Sequence, residues 1–576
     1  MNKNTKLVLW LIAILSVVGV ALIIGISLIM SGQTPNFMEK PKWLHLKISP
    51  LTAEAPGNES IFAAPDELPP LSTEIARMIH DAKDDENILG IHFQVSPNSL
   101  GWAQLQEIRD ALIAFQDAGK TCKAWSESFD NRSYYLAAPC DEVYLNETGV
   151  TLVNGLSITQ TYYAQMFEKL DVKPNFAHVG DFKSAVEPYE RTGPSEAASE
   201  ATNTLLDSLY QQLLDGFVNE SRGMTAEKVE EMLKNPPITP QDALKRGMVT
   251  DLLYKDEFMD LDDIERISTS SYLRKRRNEW QYRGRDIAVL YASGAIMNGD
   301  SGSSLFGGEI IGDSTVIKQL EEIEENASLK AVVLRVNSPG GSGSASDNIW
   351  HAVNRIKEKG IPVVVSMGNY AASGGYYISM NADYIYAEPG TITGSIGVFG
   401  GKINIRGLYQ KLGMDMHTYK RGEFSMLFSE VEDFSDAERA KYEEFLQSFY
   451  DTFVTKASEG RGKTYEEIHA VAQGRVWTGI QAKERGLVDE LGGLQAAIRK
   501  AAELAKIEEY GIEVYPKRKS FFEQLVEDLD QQSRVQVEVP LYDESLKPVI
   551  SHLHVLEKVM EAGKPAAMME SVITIQ

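Results

Sequence analysis

The chain repeats itself, and that repeat limits the folds open to it more than any other feature. Sliding the sequence along itself lays "YYLAAPCDEVYLNETGVTLVNGLS", from Tyr134, over "YYISMNADYIYAEPGTITGSIGVF", from Tyr376, at an offset of 242 residues. The same offset carries Gly155 onto Gly397 and Gly180 onto Gly422. Further on, "TPQDALKRGMVTDL" from Thr239 matches "TGIQAKERGLVDEL" from Thr478 at an offset of 239. Two copies of one domain therefore follow each other along the chain. In each copy short apolar, β-branched runs alternate with helix-like segments, the pattern of an α/β domain.

Chemistry gathers in the second copy. In "IPVVVSMGNYAASGGYYIS" the run Ile361 to Val365 breaks into a Gly/Ala/Ser turn and re-emerges as a helix near Ser373. A serine at that junction stands at the end of a parallel strand, and the free N–H groups of the first helical turn, starting with Gly374, can stabilise developing negative charge. A second glycine turn, "RVNSPGGSGSAS" (Arg335 to Ser346), follows the run Ala331 to Val336 and brings Gly340 and Gly341 as further donors. Either turn alone is ordinary turn chemistry. Their pairing in one strand-turn-helix series is what points to a site.

The copies differ where the chemistry would lie. Ser373 maps onto Asn131, and the glycines after it onto Arg132 and Ser133. Conversely, Lys183, in "HVGDFKSAVEPYER", maps onto Ser425. Each copy keeps one polar group that the other lacks, which is what a composite site would look like and what divergence of two redundant copies also produces. A serine hydroxyl needs a base, commonly histidine. None of His351, His417, His469, His552 and His554 sits in a recognisable signature with an acidic partner. A neutral lysine can serve instead. Holding an ordinary lysine (pKa ~10.4) neutral at pH 7 costs about 4–5 kcal/mol, so its site must favour the neutral form by burial. Lys183, between Phe182 and the apolar pair Ala185 and Val186, is the candidate.

Outside the repeats, residues 7–30, "LVLWLIAILSVVGVALIIGISLIM", carry no charge and are long enough to cross a hydrocarbon core ~30 Å thick. They read as a transmembrane helix rather than a cleaved signal peptide, whose apolar region would be only ~7–15 residues. Lys3 and Lys6 before the span and Lys40 and Lys42 after it orient it poorly by charge, and the short leading tail favours an inside N-terminus. A net charge of −25 argues against nucleic acid as a partner. The two cysteines, Cys122 and Cys140, fall at the same N-terminal edge of a parallel sheet. A disulfide is geometrically open to them, and two buried free thiols is the preferred reading. The expected organisation is a cytoplasmic tail (1–6), the membrane helix (7–30) and a tether (31–72). There follow a first repeat (73–270) carrying Lys183, a solvated linker (271–286), a second repeat (287–510) carrying Ser373, and a C-terminal extension (511–576).

The tandem repeat, the N-terminal anchor, "GDFKSAVEP" in the first copy, and "NSPGG", "ASGGYYIS" and "TGSIGVFG" in the second together resemble signal peptide peptidase A, the protease IV family of bacteria, in its two-repeat form. The resemblance spans residues 1 to about 510. It implies an α/β chain with two tandem ClpP/crotonase-like domains after the membrane helix, and a serine protease using a Ser/Lys dyad. Carried over by motif, Ser373 would be the nucleophile, Lys183 the general base and Ser395 the residue that orients Lys183, with Gly341 and Gly374 forming the oxyanion hole. No cofactor or metal is implied. The implied partners are cleaved signal peptides and other unfolded hydrophobic peptides, the membrane, and further copies of the chain in a homo-tetramer. The implied location is the inner (plasma) membrane, single-pass, with the catalytic body on the periplasmic side. A crotonase-like enzyme acting on coenzyme A esters and an inactive membrane-tethered scaffold are the alternatives.

Overall fold

The computed structural model describes residues 40–50, 52–56, 69–282, 284–303, 309–517 and 566–568. The expected membrane helix at 7–30 and most of the C-terminal extension lie outside these residues. Among the described residues no helix is long and apolar enough to cross a membrane.

Runs such as Ala331–Ser338 ("AVVLRVNS") are buried on both faces along nearly their whole length, which is how a parallel strand covered by helices on either side reads. Six strands form one parallel sheet in the order Asp251–Leu252, Glu142–Leu145, Thr121–Ser126, Ile88–Val95, Lys42–Lys47, Arg266–Ser268. The second copy repeats that order with Glu490–Leu491, Tyr384–Ala387, Val363–Ala372, Ala331–Ser338, Ile287–Ser293 and Ile512–Tyr515. The offset read from the sequence carries Thr121–Ser126 onto Val363–Ala372 and Glu142–Leu145 onto Tyr384–Ala387. The result is a mixed α/β fold built twice.

A third sheet belongs to neither copy alone. Lys173–Val179, from the first, pairs antiparallel with Val398–Asn404, from the second, over seven residues from Val398↔Val179 to Asn404↔Lys173. The second copy's counterpart of Lys173–Val179, residues 415–421, forms no strand. This shared ladder carries the chain after Val179 into the other copy.

Three boundaries differ from expectation. The supposed tether supplies Lys42–Lys47, an inner strand of the first sheet paired on both sides, with Trp43, Leu44 and Leu46 buried. Six residues of strand between polar flanks carry too few apolar positions to stand out from the composition around them. The supposed linker is largely the helix Thr269–Tyr282, which buries Tyr272, Leu273 and Trp280 on the helix Ser72–Asp84. Two of its basic residues are paired rather than solvated: Arg277 Nε donates to Glu74 at 2.9 Å and Arg276 pairs with Asp85, while Arg77 of the helix Ser72–Asp84 stacks 4.1 Å over the Trp280 ring and Arg274 stays exposed. The second repeat also runs past residue 510, because Ile512–Tyr515 pairs with Ile287–Leu290. Finally, Cys122 and Cys140 are joined as a disulfide, their Cα atoms 4.8 Å apart, so the free-thiol reading is wrong. They meet because Asp141 and Cys122 exchange two hydrogen bonds at that sheet edge, each 2.9 Å long.

The copies are tied by a buried ion cluster. Arg335, fully buried in the second sheet, donates from Nε to Glu54 (2.7 Å), from Nη2 to Glu107 (3.0 Å) and from Nη1 to Ser366 (2.9 Å). Glu107 also accepts the Leu494 N–H at 2.6 Å. Glu388 lies buried in the same region with no hydrogen-bond partner on either carboxylate oxygen among the described residues. Burial, then the negative charge of Asp110 and Glu107, pushes its carboxyl well above the usual range. A carboxyl whose folded pKa is raised contributes stability that is complete below its unfolded pKa and is lost as pH rises through the folded one. Melting temperature is therefore expected to fall toward alkaline pH. Glu388→Gln should flatten that fall and raise Tm at pH 8 by ~2–4 °C, the shift that about 1 kcal/mol makes in a domain of 150–250 residues. Scanning calorimetry across pH checks it.

Candidate active site

Ser373 follows the last residue of the strand Val363–Ala372 and precedes the short helix Gly374–Tyr377. Its backbone is at φ 55°, ψ −111°, a left-handed conformation uncommon outside glycine, held by its N–H on the Gly394 carbonyl (2.8 Å) and its own carbonyl under the Tyr377 N–H (2.8 Å). Strain at a strand-to-helix turn aims the serine hydroxyl off the end of the sheet. The hydroxyl is fully buried, and among the described residues the group hydrogen-bonded to it is Lys183 Nζ, at 2.9 Å.

Lys183 comes from the other copy, 190 residues earlier, and is 1% exposed. Its ammonium nitrogen also reaches Ser395 Oγ (2.9 Å) and the Ser395 carbonyl (3.2 Å). Ser395 is itself held at φ 49°, with its N–H on the Arg475 carbonyl at 2.8 Å. Thus the three side chains expected from the sequence meet in one chain. Gly340 and Gly341 lie in the short strand Gly340–Ser342, which packs against the helix Gly374–Tyr377. Gly341, at φ 156°, sits so close to Ile296 that a Cβ would come within 2.0 Å of its carbonyl oxygen. In the first copy Asn131 fills the place of Ser373, its amide donating to the Gly155 carbonyl at 2.8 Å, while Ser425, opposite Lys183 in the alignment, is exposed. His351 and His417 are exposed, and His469 bonds the Tyr450 hydroxyl at 2.9 Å, so none of the three serves Ser373.

One part of the site is not evident from the motifs. The loop around Gln473 and Gly474 clamps the backbone of Lys183: Phe182 N–H donates to the Gln473 carbonyl (2.9 Å), and Gly474 N–H to Ile396 (2.8 Å). A Cβ on Gly474, at φ 82°, would fall 2.6 Å from the Lys183 Cα. The available signal was a difference between the copies, since Gly474 lies over Asn235 just ahead of the shared block at Thr478 and Thr239. Gly474→Ala should displace Lys183 and lower kcat by ~10²-fold, the scale of a 1 Å misplacement, with little change in KM, and the left-handed φ and backbone contact should lower the melting temperature as well. Steady-state kinetics beside a thermal melt tests this; a kcat within twofold of wild type contradicts it.

A buried serine on a strained turn, with a lysine amine against its hydroxyl and glycine turns beside it, defines a serine hydrolase type of site. The family model for Peptidase family S49 matches residues 114–264 and 355–508, and that for Clp protease matches residues 306–389. The chain is 34% identical over 469 residues to Protease 4 of Salmonella typhi, covering 77% of this chain and 73% of that protein. It is 33% identical over 462 residues to Protease 4 of Haemophilus influenzae, 75% and 72% of the two chains. With the chloroplastic serine protease SPPA of Arabidopsis thaliana it shares 32% identity over 453 residues, 76% of this chain and 66% of the plant protein. The chain belongs to Peptidase family S49, and it is a serine protease.

Proposed function

We propose that this protein is a membrane-anchored endopeptidase that degrades released signal peptides with a Ser/Lys dyad. The observation that carries the reading is the 2.9 Å contact between Lys183 Nζ and Ser373 Oγ, both buried and each contributed by a different repeat. Ser373 attacks the scissile carbonyl while Lys183 accepts its proton; burial disfavours the charged amine and so suits it to act as a base. Ser395 holds the amine in line. The N–H groups of Gly341 and Gly374 bear the oxyanion. Lys183 then protonates the leaving amine, and water hydrolyses the acyl-enzyme with the same lysine as base. Residues 7–30 anchor the chain in the inner membrane, with the repeats on the periplasmic side, where apolar signal peptides are released, and the working form is a homo-tetramer. The names Protease 4 and putative signal peptide peptidase, borne by relatives, support the substrate class.

The test combines a fluorophosphonate serine probe with a synthetic signal peptide. Labelling that is lost in Ser373→Ala, together with cleavage of the peptide's apolar core, is expected. Labelling without any peptide cleavage, but with hydrolysis of a coenzyme A ester, overturns the peptidase reading. No labelling and no hydrolysis leaves only a scaffold.

A further inference from the structure

The chain leaves the turn at Gln473 and Gly474 as the strand Val476–Thr478, which pairs antiparallel with Ile392–Gly394 in the register Gly394↔Val476, Thr393↔Trp477 and Ile392↔Thr478. Arg475 stands between turn and strand and meets the candidate active site twice. Its carbonyl accepts the Ser395 N–H at 2.8 Å, and Ser395 in turn meets the Lys183 amine with its hydroxyl (2.9 Å) and its carbonyl (3.2 Å). Its guanidinium lies 4.6 Å from the ring centre of Phe182, the residue before Lys183, and 4.6 Å from that of Trp477.

The first copy aims that guanidinium. Its helix Glu196–Phe217 packs on Val476–Thr478 and supplies Glu200, which pairs with Arg475 Nη1 at 2.8 Å, and Thr204, whose hydroxyl oxygen accepts from Nη2 at 3.4 Å. Glu200 is 59% exposed, so the ion pair fixes a direction and contributes little stability. The ring contacts, on an arginine side chain 15% exposed, hold the cation more firmly. This arrangement has no counterpart in the other copy. At the offset of 239 Arg475 falls on Pro236, and at the offset of 242 Phe182 falls on Phe424, which is 43% exposed. A lysine carries its amine on a flexible four-carbon stem, so the point where the stem begins decides whether the amine reaches Ser373. The Gln473 carbonyl fixes the main chain at Phe182, and Arg475 fixes the Phe182 side chain.

We propose that Arg475 is a positioning residue for the serine–lysine pair: its guanidinium holds Phe182 and its carbonyl holds Ser395, so it sets both the start of the Lys183 side chain and the place of its amine. The inference rests on the proposed Ser/Lys mechanism. Arg475 acts through Phe182 and Ser395 on the chemical step and leaves peptide binding unchanged.

The experiment compares full-length Arg475→Ala, Arg475→Lys, Phe182→Ala and the double variant Arg475→Ala/Phe182→Ala, all well below the lowest melting temperature of the set. Two readouts are taken: kcat and KM on a synthetic signal peptide, and the rate at which a fluorophosphonate probe labels Ser373, which needs the base and no peptide recognition. Arg475→Ala keeps the main-chain carbonyl, so it reports on the guanidinium alone. It should lower kcat and labelling rate together by ~10–10²-fold, with KM within about twofold of the unmodified enzyme. Arg475→Lys keeps the charge beside Glu200 without the planar face and should recover part of the loss. The double variant should be no worse than the worse single one, because both changes release one contact. Unchanged kcat and labelling in Arg475→Ala overturn the proposal. So does a rise in KM with kcat kept, which makes Arg475 a substrate contact, and so do losses that multiply in the double variant. If the alanine variant does not fold, Arg475→Lys decides: a joint fall in kcat and labelling supports the proposal, and two unchanged rates overturn it. Failure of the mechanism itself shows separately, as labelling of Lys183→Ala as fast as that of the unmodified enzyme.

Discussion

Ser373→Ala and Lys183→Ala are each expected to remove peptide hydrolysis, by roughly 10⁴-fold or more in kcat, and the double variant should be no worse than either single one. The reason is geometric. The hydroxyl and the amine are hydrogen-bonded to each other at 2.9 Å inside a fully buried site, so proton transfer between them is a step that needs both. Lys183→Arg should be equally inactive, because a guanidinium stays protonated and cannot accept the serine proton. Ser395→Ala removes one of the amine's hydroxyl contacts yet leaves the Ser395 carbonyl at 3.2 Å, and a smaller loss, roughly 10–10²-fold, is expected. The unmodified enzyme should gain kcat/KM with rising pH as Lys183 deprotonates, with the rising limb above the ~6.5 of an ordinary histidine and below the ~10.4 of an ordinary lysine. Stopped-time peptide assays on melting-matched variants measure all of this. A double variant orders of magnitude below both single ones would mean that serine and lysine act independently, and a limb that vanished with His469 would hand the role of base to histidine.

What the sequence made legible follows from where physics leaves a local trace. The duplication was plain because both copies keep the same strand and turn signals, and the copy differences at Ser373, Asn131, Lys183 and Ser425 pointed to a composite site without any view of the fold. The contact between them was not legible. It depends on Lys173–Val179 crossing to the other copy through a ladder of main-chain hydrogen bonds, and main-chain pairing leaves no mark in side-chain periodicity. The same holds for Ala566–Met568, paired by backbone within a stretch that has no motif. From sequence Lys42–Lys47 reads as part of a tether and most of Thr269–Tyr282 as a solvated linker, because composition averages over a window. A short strand and a helix whose cations find Glu74 and Asp85 far away in sequence both defeat such averaging. The disulfide was half legible: strand order put both cysteines on one edge, and only their actual approach decided pairing over burial.

The largest effect on stability is expected at Arg335, and its removal should be read through the charges it leaves behind. Arg335→Met keeps much of the side-chain volume while taking the guanidinium from Glu54 at 2.7 Å and Glu107 at 3.0 Å, whose side chains are only 8% and 5% exposed. Breaking one partner out of a buried pair costs about 3–5 kcal/mol, chiefly because the remaining charge is buried without compensation. At ~2–4 °C per kcal/mol for a domain of this size, Tm should drop by roughly 10 °C. Glu107 belongs to a first-copy helix and Arg335 to a second-copy strand, so the loss falls on the packing that brings Lys183 to Ser373, and activity should fail at a lower temperature as well. Two comparisons separate charge from volume. Burial, outweighing the attraction of Arg335, raises the Glu107 carboxyl above its usual range, so without the arginine it protonates more readily still and the deficit should shrink as pH falls toward 5. Adding Glu54→Gln and Glu107→Gln to Arg335→Met should recover most of the lost Tm, since the buried charges go with their counter-ion. A single variant that melts within 2 °C of wild type, at neutral pH by calorimetry, would show that water reaches the cluster and that the copies are held together by their apolar contacts alone.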